Sequence, residues 1–203
     1  MSAKKLDAAR LWIVAGPNGS GKSSLYSEGD IEDFGGSVWI INPDLLSERI
    51  AQVESLDLPA ANLEAVKRIY NWLEASIDAH QTIGVETVLS TDKYRKLVLR
   101  AKGRGFEIRL IYVLLRCPEL NIERVKMRVA KGGHDVPANK IIARRARSLA
   151  QLPWFLEQAD QAWLFDNSEA RPRLIGTKNK GVIALDPAAL PEVADAAQRI
   201  RTS

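Results

Sequence analysis

The chain has 203 residues, 46% of them apolar and 27% charged, the composition of an ordinary globular domain large enough to bury a full α/β core. No early apolar segment reads as a signal peptide and no apolar run is long enough to cross a bilayer, so the expectation is a cytoplasmic protein with no membrane role. The single cysteine, Cys117, excludes an internal disulfide and a cysteine-rich zinc site, and a formal charge of +4 is too small to specify nucleic acid by itself.

In chain order, residues 1–10 read as a polar lead-in to one domain over 11–203. A first strand, Leu11–Ala15, runs into Gly16-Pro17-Asn18-Gly19-Ser20-Gly21-Lys22-Ser23, which fits G-x-x-x-x-G-K-[ST]. A helix follows from Gly21 to about Ser27. Strand, glycine-rich turn and helix together predict a phosphate-binding loop. Successive backbone N–H groups form an anion nest, the helix N-terminus adds its positive dipole end, and Lys22 reaches the β- and γ-phosphates. The Ser23 hydroxyl is the candidate magnesium ligand, and the loop with Ser24 is the candidate nucleotide site.

A second strand, Ser37–Ile41, ends at Asn42-Pro43-Asp44, where Pro43 opens a helix with Asp44 in its first turn. A long helix spans about Leu63–His80. The third strand, Thr82–Val85, ends at Glu86-Thr87, and a helix from Thr91 or Asp92 stops at Gly103. The fourth strand, Glu107–Leu115, is nearly all apolar, as a central parallel strand would be. Pro118 starts a helix ending at Lys131, Gly132-Gly133 stops it, and another spans about Asn139–Leu149 before a break at Pro153. A fifth strand, Ala162–Phe165, ends at Asp166-Asn167-Ser168. Two short strands near Arg173–Gly176 and Val182–Leu185 precede a terminal helix from Ala188. Strands alternating with helices predict a largely parallel sheet covered on both faces.

Ligands of such sheets sit beyond the carboxyl ends of the strands. Asp44 is placed there to handle the proton of an acceptor hydroxyl, against the plainer role of an acid at a helix N-terminus. Glu86 is the candidate to orient Mg²⁺ through water or to bind the acceptor. Arg124, Arg128 and Lys131 share one helical face, and Lys140, Arg144 and Arg147 another, opposite Ile142, Ala146 and Leu149. Residues 124–150 therefore read as a basic helical lid over transferring phosphates. His134, between the two helices, is a candidate phosphate contact. Trp72, Trp154 and Trp163 sit in apolar patterns and read as core.

Together these segments resemble the zeta-toxin-like P-loop kinases. The match runs through the phosphate loop, Ile41-Asn42-Pro43-Asp44, Glu86-Thr87, the Arg128–Pro137 stretch, the Lys140–Leu149 run and Asp166-Asn167-Ser168. The resemblance implies a P-loop kinase fold with sheet order 2-3-1-4-5 and Mg²⁺-dependent transfer of phosphoryl from ATP or GTP to a hydroxyl. It implies a nucleotide sugar such as UDP-N-acetylglucosamine as acceptor, and a small antitoxin as partner. Asp44 matches the acid that activates the acceptor, Arg128 and Arg144 match lid cations, with Arg147 beside them, and Asn167 is placed near the base. Two alternatives stay open: a kinase acting on nucleic acid ends, and a nucleotide-binding regulatory module without turnover.

Overall fold

A computed structural model describes residues 8–28 and 40–201. In chain order the elements are β1 (Arg10–Ala15), α1 (Lys22–Glu28), β2 (Ile40–Ile41), α2 (Pro43–Glu54), α3 (Leu58–Asp78), β3 (Ile83–Thr87), α4 (Arg95–Gly103) and β4 (Glu107–Leu114). They continue with α5 (Pro118–Ala130), α6 (Ala138–Gln158), β5 (Gln161–Asp166), β6 (Arg173–Asn179), β7 (Val182–Leu185) and α7 (Pro191–Arg201). The described strands form one sheet in the order β2-β3-β1-β4-β5-β6-β7. The first five are parallel in the expected order, and β6 and β7 extend the sheet as an antiparallel pair. This is an α/β P-loop kinase-like fold. The part of the second strand expected over 37–39 lies outside the described residues.

β1 and β4 are buried on both faces, which is why they are written almost entirely in apolar residues. Alternation divides the side chains of β1 between two cores. Leu11, Ile13 and Ala15 join Ile69, Leu73 and Ile77 of α3, Leu97 of α4 and Phe155 of α6. Trp12 and Val14 face the other way, with Leu25 of α1 and Ile111 and Val113 of β4. On that second face the buried Arg109 lays its guanidinium 5.1 Å from the centre of the Trp12 ring, and Trp12 stacks on Trp163 at 5.5 Å. The register pairs Ala15 with both Thr87 and Tyr112, so the chain leaving β1 emerges between the ends of β3 and β4.

Two helices depart from the sequence reading. α3 starts at Leu58, earlier than Leu63, because the Asp57 side chain caps it by accepting from the Ala60 N–H at 2.8 Å and a proline is tolerated in a first turn. α6 runs unbroken from Ala138 to Gln158 with Pro153 inside it. Proline removes one backbone donor, but Leu152, Phe155 and Leu156 are buried on either side and hold the helix to the core. The buried stripe of α6 is also one residue off the expected one. Ile141, Arg145 and Ser148 face inward, whereas Ile142 and Ala146 are exposed. Trp72, read as core, is 38% exposed on the outer side of α3.

Candidate active site

The phosphate loop packs so tightly that its glycines are obligatory. Gly16, Gly19 and Gly21 all have positive φ, at 146°, 73° and 86°. A Cβ on Gly19 would meet the Asn121 carbonyl at 2.5 Å, and one on Gly21 would meet the Asn167 amide nitrogen at 2.2 Å. Two asparagines therefore shape the loop from behind. Asn121 of α5 donates to the Asn18 carbonyl at 2.8 Å, and Asn167, just past β5, donates to the Ser20 carbonyl at 2.9 Å. Asn167 thus borders the cavity and spends its amide on the loop backbone. Ser20 is fully buried, and its Oγ has no hydrogen-bond partner among the described residues.

Lys22 opens α1 and is 6% exposed. Its Nζ donates to the carbonyls of Gly16 at 2.9 Å and Pro17 at 3.1 Å, and lies 3.8 Å from Glu86 Oε1. Burial pushes its pKa down from the ordinary lysine value. The Glu86 and Asp44 carboxylates oppose that shift, and the Arg128 guanidinium adds to it. Ser23 Oγ donates to Glu86 Oε2 at 2.8 Å, and Asn42 Nδ2 donates to the same oxygen at 3.0 Å. Glu86, at the end of β3, is thus the hub that joins the phosphate loop to the start of α2.

Asn42 has a second task. Its Oδ1 accepts from the N–H groups of Asp44 at 2.9 Å and Leu45 at 3.4 Å, capping α2 and fixing the turn that presents the exposed Asp44 carboxylate. The sequence reading named Asn42 within a matched segment and gave it no role of its own. The signal was available, since an asparagine directly before a proline is an N-cap followed by N1.

On the other side, α5 closes a cavity of about 960 Å³ bounded by Gly21, Lys22, Ser23, Arg124, Arg128 and Arg171, among others. Arg124, Arg128 and Lys131 all line it, as their spacing on one helix face requires. Arg128 donates to the His134 carbonyl at 2.7 Å, and its stem packs beneath Gly133. His134 meets it through the backbone, and its side chain is exposed. Arg144 reaches the loop through Asn18 Oδ1 at 3.4 Å. Its neighbour Arg145 points the other way, donating to the Leu115 carbonyl and to Glu192 of α7, both at 2.9 Å. Arg147 is exposed on α6 and has no hydrogen bond or ion pair to the loop among the described residues. Cys117 is half-buried at the N-cap of α5.

The structure therefore gathers Lys22, Ser23, Glu86, Asp44, Arg128 and Arg144 at one end of the sheet and leaves Arg147 at the margin. Among the described residues no three His, Cys, Asp or Glu side chains group as a self-contained metal site. A hydroxyl hydrogen-bonded to a carboxylate, Ser23 with Glu86, suits a hard cation that keeps waters and shares its shell with phosphates.

The same fold occurs in solved proteins. The AvrRxo1-ORF1:-ORF2 complex crystallised with ATP contains a chain that superposes with a TM-score of 0.71 at 16% identity, over 95% of this chain and 63% of that one. This protein thus spans less than two thirds of that chain's length. A putative kinase from Chloroflexus aurantiacus gives 0.56 at 18% identity, over 70% of this chain and 78% of that one. The PezAT chromosomal toxin–antitoxin system of Streptococcus pneumoniae gives 0.59 at 16% identity, over 81% and 70%. At these identities the likeness concerns the fold. Residues 11–153, which carry the phosphate loop, Asp44, Glu86 and both basic helices, match the AAA domain family designated AAA_33, and the chain belongs to that family.

Proposed function

We propose that the protein is a kinase that transfers the γ-phosphoryl group of ATP or GTP to a hydroxyl of a small acceptor. The observation that carries this reading is the chain of contacts Lys22–Glu86–Asn42, with Ser23 on the same carboxylate and Asp44 presented by the turn that Asn42 caps. It links a triphosphate-binding loop directly to a free acid across the end of one strand.

In this reading the loop amides and Lys22 bind the triphosphate, and Arg124, Arg128 and Arg144 stabilise charge on the transferring group. Ser23 and Glu86 would hold Mg²⁺, which when bound neutralises phosphate charge. Asp44 accepts the proton of the attacking hydroxyl as the oxygen bonds to phosphorus and the β–γ bridging bond breaks. Asn42 fixes the turn that carries Asp44 and hydrogen-bonds the Glu86 carboxylate. The resemblance to zeta-toxin-like kinases favours a nucleotide sugar, UDP-N-acetylglucosamine foremost, as acceptor. The likeness to a toxin–antitoxin fold favours an inhibitory partner protein.

Labelled ATP with Mg²⁺ and a panel of nucleotide sugars, nucleosides and oligonucleotides, read by mass spectrometry, tests the reading. Phosphorylated small molecule is the expected product. Product on oligonucleotides alone would move the acceptor to nucleic acid ends, and tight nucleotide binding without product would leave a regulatory module.

A further inference from the structure

The cavity beside the phosphate loop has two ends of different chemistry. At the first, Lys22 and Ser23 meet Glu86, and the Arg128 guanidinium adds to the burial that lowers the Lys22 pKa. The second lies past Gly21. There Arg124 of α5 donates through Nη2 to the Glu169 carbonyl at 3.5 Å. The β5–β6 connection supplies Ala170, Arg171 and Pro172 to the lining, and α5 supplies Met127, one turn on from Arg124.

This second end offers surface without edge. Met127 is 58% exposed, so it adds little to the core, yet it lines the cavity beside Arg124 and Arg128. Its polarizable thioether packs favourably on an aromatic ring. Pro172 adds a second apolar surface, and a guanidinium such as that of Arg171 can lie flat on a π face. The side chains that could read the hydrogen-bonding edge of a ring are committed elsewhere. Asn167 spends its amide nitrogen on the Ser20 carbonyl at 2.9 Å. The Glu169 carboxylate accepts from Arg116 at 2.6 Å, and Arg116 does not line the cavity. Arg171 is exposed, and among the described residues its guanidinium has no hydrogen bond or ion pair to fix its fork at a base edge.

Resting on the reading of this cavity as the triphosphate site, we propose that its second end seats the nucleobase by stacking and leaves the base edge unread, so that ATP and GTP serve alike as donors. Stacking is tolerant because every base has a π face. Apolar walls separate related ligands only weakly, whereas hydrogen-bonding groups aimed at a ring edge can discriminate by about 10⁴-fold or more.

Calorimetric titration of the full chain with Mg·ATP, Mg·GTP and inorganic triphosphate tests the proposal. ATP and GTP should bind within about fivefold of each other, and both about tenfold more tightly than inorganic triphosphate. Met127→Ala changes no charge and lies at an exposed position. It should weaken ATP and GTP equally, by about three- to tenfold, and leave inorganic triphosphate as in wild type. A larger preference between ATP and GTP would overturn the proposal, as would unchanged nucleotide affinity in Met127→Ala or an equal loss for inorganic triphosphate. None of these measurements needs an acceptor. The expected binding pattern without phosphoryl transfer would remove the kinase reading and keep the base site, and no binding by either nucleotide would remove both.

Discussion

Lys22 shows how a single ammonium can be held ready for anions. Burial lowers its pKa, so between the lowered value and the ordinary 10.5 the folded chain binds fewer protons than the unfolded one. Stability without ligand therefore rises with pH across that window. A triphosphate beside the ammonium would restore its charge, so nucleotide binding should take up protons in the same window. Calorimetry in buffers of different ionisation enthalpy should detect that uptake at alkaline pH and lose it in Lys22→Met; uptake persisting in the variant would assign it elsewhere. The sequence exposed Lys22, Ser23 and Asp44 plainly because motif spacing and a strand end mark them. It hid Asn121 and left the readable cap residue Asn42 without a role, and the tasks of both are to hold backbone and carboxylate rather than substrate. A buried polar position inside the apolar stripe of α5 was the one available sign of Asn121.

Among the elements, α6 differs most from its sequence reading. The charges at 140, 144 and 147 suggested the basic face of a lid, yet the inward stripe carries Arg145, Ser148, Leu152, Phe155 and Leu156. Tyr112 of β4 and Ser148 share a hydrogen bond at 3.0 Å, and Arg145 joins Leu115, just past β4, to α7. Periodicity cannot reveal an arginine whose partners come from two distant segments, so the register was legible only to within one residue. Arg144 is thereby fixed toward Asn18 by a helix anchored in the core, while Arg124 and Arg128 of α5, with Lys131 at its end, line the cavity. Glu192→Ala should leave the buried Arg145 charge short of a partner and cost about 1–3 kcal/mol in urea unfolding. The pair Arg145→Met with Glu192→Leu should recover part of that loss. A cost below about 0.5 kcal/mol for Glu192→Ala would mean that water already serves the arginine.

For the molecule as a whole, apolar runs alternating with helices predicted a parallel sheet, because such a sheet must bury both faces, and the order of its first five strands came from the resemblance to P-loop kinases. The antiparallel β6–β7 extension appeared only as two short strands, since pairing direction leaves no periodic mark. The fold places every loop with chemistry at one end of the sheet, which makes the donor site sensitive to one event, the arrival of a triphosphate. Mg·ATP at about 100 times its Kd should add about 2.7 kcal/mol, or about 5–10 °C in the unfolding midpoint for a chain this size. Lys22→Met should abolish the shift, and a shift of equal size in that variant would place the nucleotide outside the loop.

The central claim is that a donor loop and a proton acceptor face each other across Glu86. Its most direct test is Asp44→Asn, measured for Mg·ATP affinity and for phosphoryl transfer to the acceptor found by the panel. The account predicts affinity within about twofold of wild type and turnover lower by about 10²–10⁴-fold. Turnover equal to wild type, or an equal collapse of affinity, would contradict it.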